Sequence, residues 1–390
     1  MKIGTYFGIV FGKMTRSILR MLHRGGTALP GFVAKCFNKN ILLDLSQNVE
    51  TVLITGTNGK STSLYILEHL LDIEGISYFS NYEGANIETG IISTFVSNTK
   101  LKRQSIHSIA LIECDELYVD RICKQLHPKI ILITNLYEDQ KERFGNVTHL
   151  AGILSKVLND NDATQCINKD CEILSTINKN NDKKIIEYSI IDNSIYINNQ
   201  KIVIKTNLPG LWNLYNIAGA CAVACALDID IDKLSNAFTS IKMPYGRMEE
   251  INIQGIKIIL NLAKNPCSID LLLEYIVKHE DTDAVVIGIN NKPGDIEDPK
   301  WLNNAKNLSL LNNFNSIWIC GNCTDIIEKI LSKTVLDKNK IKTIETPSKV
   351  IENVIDNNFK VNMLLNYTCM METRKTLVKL GYIKKDFWKK

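Results

Sequence analysis

No apolar run in this chain reaches the ~18–20 residues needed to cross a bilayer. Its eleven cysteines keep no framework spacing. Nothing in it looks like a cleavable signal peptide with a small-residue cleavage site, and free thiols in a reducing cytoplasm are the expectation. Excess charge of one sign is also missing. Lys and Arg number 46 against 42 Asp and Glu, and the resulting net charge of +4 gives no basis for a nucleic-acid protein. What is present is 45% hydrophobic content over 390 residues, enough for two or three domains with cores of their own.

One stretch organises the rest: Thr55–Thr62, T-G-T-N-G-K-S-T. The apolar run Val52–Ile54 precedes it, and Leu64, Leu67, Leu70 and Leu71 follow at helical spacing. Strand, glycine loop, Lys-Ser and helix is the order of a phosphate-binding loop. Gly56 and Gly59 let backbone N–H groups wrap a polyphosphate without Cβ obstruction. Lys60 reaches the outer phosphates in such a loop, and the Ser61 hydroxyl ligates Mg²⁺. The generic pattern asks for glycine where this chain has Ile54, so the loop is the shorter G-T-N-G-K-S form.

Residues 1–24 carry Lys2, Lys13, Arg16, Arg20 and Arg24 and no acid. Phe7, Val10, Phe11, Met14, Ile18, Met21 and Leu22 make an apolar stripe at helical spacing. The expectation is that this stripe docks on the body of the protein; the alternative is an anionic membrane surface. Arg24–Gly31 then breaks the helix. From Val52 to about Leu234, strand and helix patterns alternate, with strands expected at Val52–Thr55, Ser77–Ser80, Ile109–Glu113 and Ile130–Thr134. Alternation of this kind implies an α/β fold with a parallel sheet covered on both faces. Ligands sit at the carboxyl ends of such strands. Three stretches lie at such ends: the glycine loop, Glu113 with Asp115 and Glu116, and Asn135–Gly145. Glu113 is the expected Mg²⁺ carboxylate.

After a linker near Ser240–Tyr245 the pattern restarts. Ile251–Ile253 and Ile256–Ile258 flank Gln254-Gly255 as a hairpin. A helix over Leu271–His279 and strands at Ala284–Ile289, Ser316–Cys320 and Val361–Leu365 complete a smaller α/β domain. The expected division is an entry segment at 1–48, a nucleotide domain at 49–240 and a C-terminal domain at 246–390. ATP is expected in the cleft between the last two, with closure gating the chemistry.

Several further stretches, in this order, carry a specific resemblance. They are G-G-T-A-L-P-G at Gly25–Gly31, N-Y-E-G-A-N-I-E-T-G at Asn81–Gly90, E-C-D-E at Glu113–Glu116 and N-L-Y-E-D-Q-K-E-R-F-G at Asn135–Gly145. G-L-W-N-L-Y-N at Gly210–Asn216, G-R-M-E at Gly246–Glu249, K-N-P at Lys264–Pro266 and Y-T-C-M at Tyr367–Met370 follow. Together with the short loop they resemble the MurT subunits of lipid II isoglutaminyl synthases, relatives of the Mur ligases and folylpolyglutamate synthases.

The resemblance implies a P-loop central domain, a smaller C-terminal domain and cytoplasmic work in peptidoglycan biosynthesis, at the inner face of the membrane. It implies an ATP-dependent carbon–nitrogen ligase that phosphorylates the α-carboxylate of D-isoglutamate in lipid II. Ammonia from a GatD-like glutaminase partner in a heterodimer then gives the amide. Carried over residue by residue, Gly56, Thr57, Asn58, Gly59, Lys60, Ser61 and Thr62 would hold ATP phosphates. Ser61 and Glu113 would hold Mg²⁺. Asn213 would face the base with Asn216 supporting it, a helix-capping role being the alternative for this pair. Lys60, Glu113, Arg247 and Lys264 would form the catalytic set.

The departures carry expectations too. Only Cys166 and Cys171 lie where the family has a four-cysteine zinc ribbon, so no structural zinc is expected. Cys320 and Cys323 are expected as core thiols. The family motif D-G-x-D-x-S-W-x-W-D falls on Asp295–Asn304, with Asn304 in place of the aspartate that completes the partner's triad. An amide cannot stabilise an imidazolium as a carboxylate does, so glutamine use is in doubt. Asn261 and Cys323 also depart from the pattern. The alternatives are a Mur-ligase-like enzyme acting on another carboxylate and a non-catalytic ATP-binding scaffold.

Overall fold

The computed structural model describes the chain apart from residues 1–2, 23–26, 82–84, 102–104, 138–146, 178–182, 235, 242, 244, 293–294, 296–298 and 385–390. The chain divides into two compact units, Met1–Lys242 and Met243–Lys390.

The first unit is an eight-stranded sheet in the order β2-β3-β1-β4-β5-β6-β7-β8. Its strands are β1 (Glu50–Thr55), β2 (Tyr78–Ser80), β3 (Ile109–Glu113), β4 (Ile130–Ile133), β5 (Thr164–Asn168), β6 (Ile185–Ile191), β7 (Ser194–Ile197) and β8 (Gln200–Ile202). Every residue of β3 and β4 is buried, as are all but the first of β1. Continuous apolar runs of this kind are what a parallel strand covered on both faces needs. β1 pairs in parallel with β3 on one side and β4 on the other. Their carboxyl ends therefore emerge side by side, at Thr55, Glu113 and Ile133.

The expected parallel sheet runs from β2 to β6, and one edge extends it. β6, β7 and β8 form an antiparallel meander. Asp192 and Asn193 at the first turn, and Asn198 and Asn199 at the second, all have positive φ. Two consecutive left-handed residues make the tight turn whose twist suits a hairpin, and short Asn and Asp side chains tolerate it. A short helix, Glu172–Thr176, follows β5.

Helices α1 (Ile3–Met21), α2 (Leu29–Phe37) and α3 (Ile41–Ser46) belong to this unit. The docking expectation for α1 is corrected. α1 packs through Thr5, Gly8, Ile9 and Gly12, while the large apolar stripe faces outward. A Cβ on Gly8 would sit 2.6 Å from Ile41 Cδ1 and 2.9 Å from the Ala34 carbonyl oxygen. Small residues there let the helix backbones approach, and the bulky side chains are left on the other side. The break expected at Arg24–Gly31 lies in part outside the described residues; α2 starts at Leu29 with Pro30 in its first turn.

The second unit is a six-stranded sheet in the order β13-β12-β11-β14-β10-β9. β9 (Glu249–Ile253) and β10 (Ile256–Leu262) form the expected hairpin about Gln254 and Gly255, both at positive φ. β11 (Ala284–Gly288), β12 (Ser316–Cys320), β13 (Ile341–Thr343) and β14 (Val361–Leu365) pair in parallel, as do β14 and β10. Ile258, Leu260, Val286, Trp318 and Met363 lie in its core.

Candidate active site

The glycine loop runs from the end of β1 into α4 (Lys60–Ile73). Gly56 has φ +124 and Gly59 has φ +88, in the left-handed region that favours glycine. A Cβ on Gly56 would collide with Thr134 Oγ1, and one on Gly59 with Asn216 Oδ1. The loop thus leans on two walls, each held by hydrogen bonds. Thr134 Oγ1 donates to the Asn58 carbonyl at 2.7 Å. Asn135 brackets the same residue, accepting from Asn58 N at 2.9 Å and donating to its carbonyl at 3.0 Å. Thr57 N donates to the Asn135 carbonyl at 2.9 Å, and Thr57 Oγ1 accepts from Tyr137 N at 3.1 Å.

Lys60 is almost wholly buried, at 7% exposure. Its Nζ donates to the Gly56 carbonyl, to the Thr57 carbonyl at 3.2 Å and to Glu116 Oε2 at 3.3 Å. Burial works against its charge, but Glu116, Glu113 and Asp115 outweigh it and raise its pKa above the ordinary 10.5. The Ser61 hydroxyl donates to Glu113 Oε2 at 2.6 Å. Asn86 Nδ2 donates to Glu113 Oε1 at 3.3 Å. The Glu113 backbone is clamped by Asn81, which accepts from its N–H and donates to its carbonyl, both at 2.8 Å. Thr62 is buried in the first turn of α4.

Three buried carboxylates thus surround one buried ammonium. The formal excess of two negative charges, beside a serine hydroxyl already in contact with Glu113, is a hard-oxygen donor set suited to a divalent cation. The glycine cradle, where a Cβ would collide, suits a polyphosphate. No group of three or more metal-ligating side chains stands out as a pre-formed cage among the described residues. Mg²⁺ sites of this class commonly complete their shell with phosphate and water.

Asn213 and Asn216 lie in the first turns of the helix Leu211–Ala226, and both are buried. Asn216 Nδ2 donates to Asn213 Oδ1 at 3.2 Å, and Asn213 Nδ2 donates to the Pro209 carbonyl at 2.6 Å. Gly210 occupies the cap of this helix and no side chain bonds there. The pair instead joins the helix to the phosphate loop, through Asn216 Oδ1 against Gly59.

Arg247 and Lys264 lie in the second unit. Arg247 sits in a tight turn between Gly246 and Met248, both at positive φ. Buried Arg374 pairs with Glu249 and lies 5.2 Å from the centre of the Tyr245 ring. Glu249 Oε2 also accepts from Gly246 N at 2.7 Å, so this ion pair fixes the turn that carries Arg247. Asn265 caps the helix Pro266–His279 in a reciprocal box with Ser268, with Pro266 at its start, and Lys264 stands exposed just before it. Asn304 is exposed at the end of the short helix Pro299–Asn304, while Asp295 accepts from Thr368 N at 3.1 Å. Asp298 and most of Asn135–Gly145 lie outside the described residues. Cys166, Cys171, Cys320 and Cys323 are buried thiols.

Of the cradle's two walls the sequence points to Asn216 but not to Thr134, which it marks only as a strand end. It places Glu116 in a candidate stretch but does not single it out as the partner of Lys60. Their position at the carboxyl ends of strands flanking β1 is the signal that could have found them.

A glycine loop at the end of a parallel strand, with a strand-end carboxylate on its serine, defines a P-loop nucleotide-binding protein. The comparisons narrow this class. Residues 54–224 match the Mur ligase middle domain and residues 262–370 match the MurT ligase C-terminal domain. The lipid II isoglutaminyl synthase (glutamine-hydrolyzing) subunit MurT of Streptococcus pneumoniae strain R6 is 25% identical over 99% of this chain and 100% of its own. That of Staphylococcus aureus strain COL is 25% identical over 76% of this chain and 80% of its own. Among solved structures, MurF from Acinetobacter baumannii superposes with a TM-score of 0.68 at 14% identity, covering 89% of this chain and 80% of that one. The chain thus carries a Mur ligase middle domain followed by a MurT ligase C-terminal domain, and it is similar to MurT subunits along its length.

Proposed function

We propose that this chain is an ATP-dependent amide ligase of the MurT type, acting on the D-isoglutamate α-carboxylate of lipid II through an acyl phosphate. Its nitrogen would come as ammonia, from a GatD-like glutaminase subunit or from solution. The observation that carries the reading is the glycine cradle with Lys60 buried beside Glu116 and Ser61 bonded to Glu113. A carboxylate is a poor electrophile, and phosphorylation gives it a leaving group. Backbone N–H groups of the loop would bind the phosphates. Lys60, already charged and held among carboxylates, would swing from the Gly56 and Thr57 carbonyls to the terminal phosphate as charge builds there. Ser61 and Glu113 would hold Mg²⁺, which supplies charge neutralisation on the phosphoryl oxygens. Asn81 and Asn86 hold Glu113 in place for that role. Arg247 and Lys264, both in the second unit, would steady the transferring phosphoryl group.

The test is phosphate release and amidation of lipid II by purified chain with ammonium. Lys60→Ala should lower turnover by about 10³-fold or more; unchanged turnover would contradict the proposal. With Asn304 in place of the aspartate, ammonium should serve and glutamine should not, even with a GatD-like subunit added. Equal use of glutamine would refute that part alone.

A further inference from the structure

α1 is three-sided. Its small residues, Gly4, Gly8 and Gly12, recur every fourth position and face the protein; a Cβ on Gly12 would lie 2.9 Å from Val96 Cγ1 and 3.1 Å from the Pro30 carbonyl. Its bulky residues face away. Met14 is 51% exposed, Ile18 53% and Met21 80%. Phe7 and Phe11 are exposed beside Phe37 of α2, with the Phe11 and Phe37 rings stacked at 4.8 Å. The third side is cationic, with Lys13 half-buried and Arg20 exposed, and the helix contains no acid. Large contiguous apolar patches on a soluble protein mark an interaction surface.

We infer that this face is a membrane-docking surface, on which α1 lies in the plane of an anionic bilayer. Apolar side chains along one long edge, cations on the flank and no carboxylate are what a headgroup interface accommodates. No helix among the described residues is long and apolar enough to cross a membrane, so the helix rests on the bilayer and does not span it. A second copy of this chain fits the face less well, because its α1 carries no acid to offer Lys13 and Arg20. Anionic lipid offsets those cations. The apolar edge supplies depth and the cations supply the preference for negative headgroups. The inference rests on none of the catalytic steps above, although an acceptor carried on a lipid would meet the enzyme at the same surface.

The test is co-sedimentation of the full chain with phosphatidylcholine vesicles, with and without phosphatidylglycerol. The chain should pellet with the anionic vesicles and release as salt rises. Both Phe7→Ser/Met14→Ser/Ile18→Ser and Lys13→Glu/Arg20→Glu should weaken pelleting by about tenfold or more, with ATP turnover in solution unchanged. Failure to pellet with either vesicle would overturn the inference. So would pelleting that neither variant alters. A dimer, or a complex with a glutaminase-like subunit, that the triple variant dissolves while vesicles capture nothing would assign the face to protein instead. Loss of vesicle binding with intact turnover would leave the proposed function standing, and loss of turnover with intact vesicle binding would leave this inference standing.

Discussion

Lys60 illustrates how much one side chain depends on its neighbours. Its folded pKa is raised, so the stability it lends is present in full below the ordinary 10.5 and is lost only as pH climbs through the raised value. Nucleotide affinity measured by calorimetry between pH 6 and 9 should therefore show no inflection from this lysine. Gly59, like Gly56, is a demanding position in the loop, since an added Cβ meets both a positive φ and Asn216. Gly59→Ala should cost about 1–2 kcal/mol of stability through the left-handed backbone alone. It should also lower affinity for a non-hydrolysable ATP analogue by more than tenfold; calorimetry and a thermal melt read the two effects separately. The loop residues were legible in the sequence because their chemistry is local: glycine, lysine and serine at fixed spacing. Glu116 and Thr134 were not, because their roles arise from strand pairing, which places residues 56 and 76 positions away beside Lys60 and Asn58.

At the scale of elements, strands were the easiest to read. β3, β12 and β14 run over the expected residues because each is a short, continuous apolar run with turn residues beyond it. The β6–β8 meander was missed because its turns, Asp192-Asn193 and Asn198-Asn199, carry no glycine to mark them. Hydrophobic size does not mark the packing side of α1, because close approach to Ala34 selects glycine there. Gly8→Val should accordingly separate α1 from α2 and destabilise the first unit by about 1–3 kcal/mol through overpacking. Faster tryptic cleavage within residues 13–20 and a lower Tm would report it; unchanged protection would mean that the face is not tightly packed. In the second unit, Gln254 holds φ +52 in a two-residue hairpin turn. Gln254→Asn should raise stability by a few tenths to about 1 kcal/mol, since asparagine tolerates that conformation better.

For the whole molecule, the thiols give a direct reading of state. None of the eleven cysteines is in a disulfide; Cys36 is exposed and Cys225 and Cys267 partly so. Burial pushes the Cys123 thiol up to about 12 and raises those of Cys166 and Cys221 further. A thiol reagent should modify Cys36 first under native conditions and reach all eleven only on unfolding. The family resemblance was legible across both units because its motifs sit where structure demands them: Asn265 and Pro266 start a helix, and Gly246 and Glu249 fix a turn. The substitution at Asn304 was legible too, but its effect depends on a partner subunit. The account as a whole stands on phosphoryl transfer from a nucleotide in the glycine cradle to an acid group. The most direct measurement uses acceptor labelled with ¹⁸O in the carboxylate, with mass analysis of the phosphate released. An acyl phosphate requires one labelled oxygen in each phosphate formed by the wild-type chain, and almost no phosphate from Lys60→Ala. Unlabelled phosphate accompanying amide formation would contradict the account.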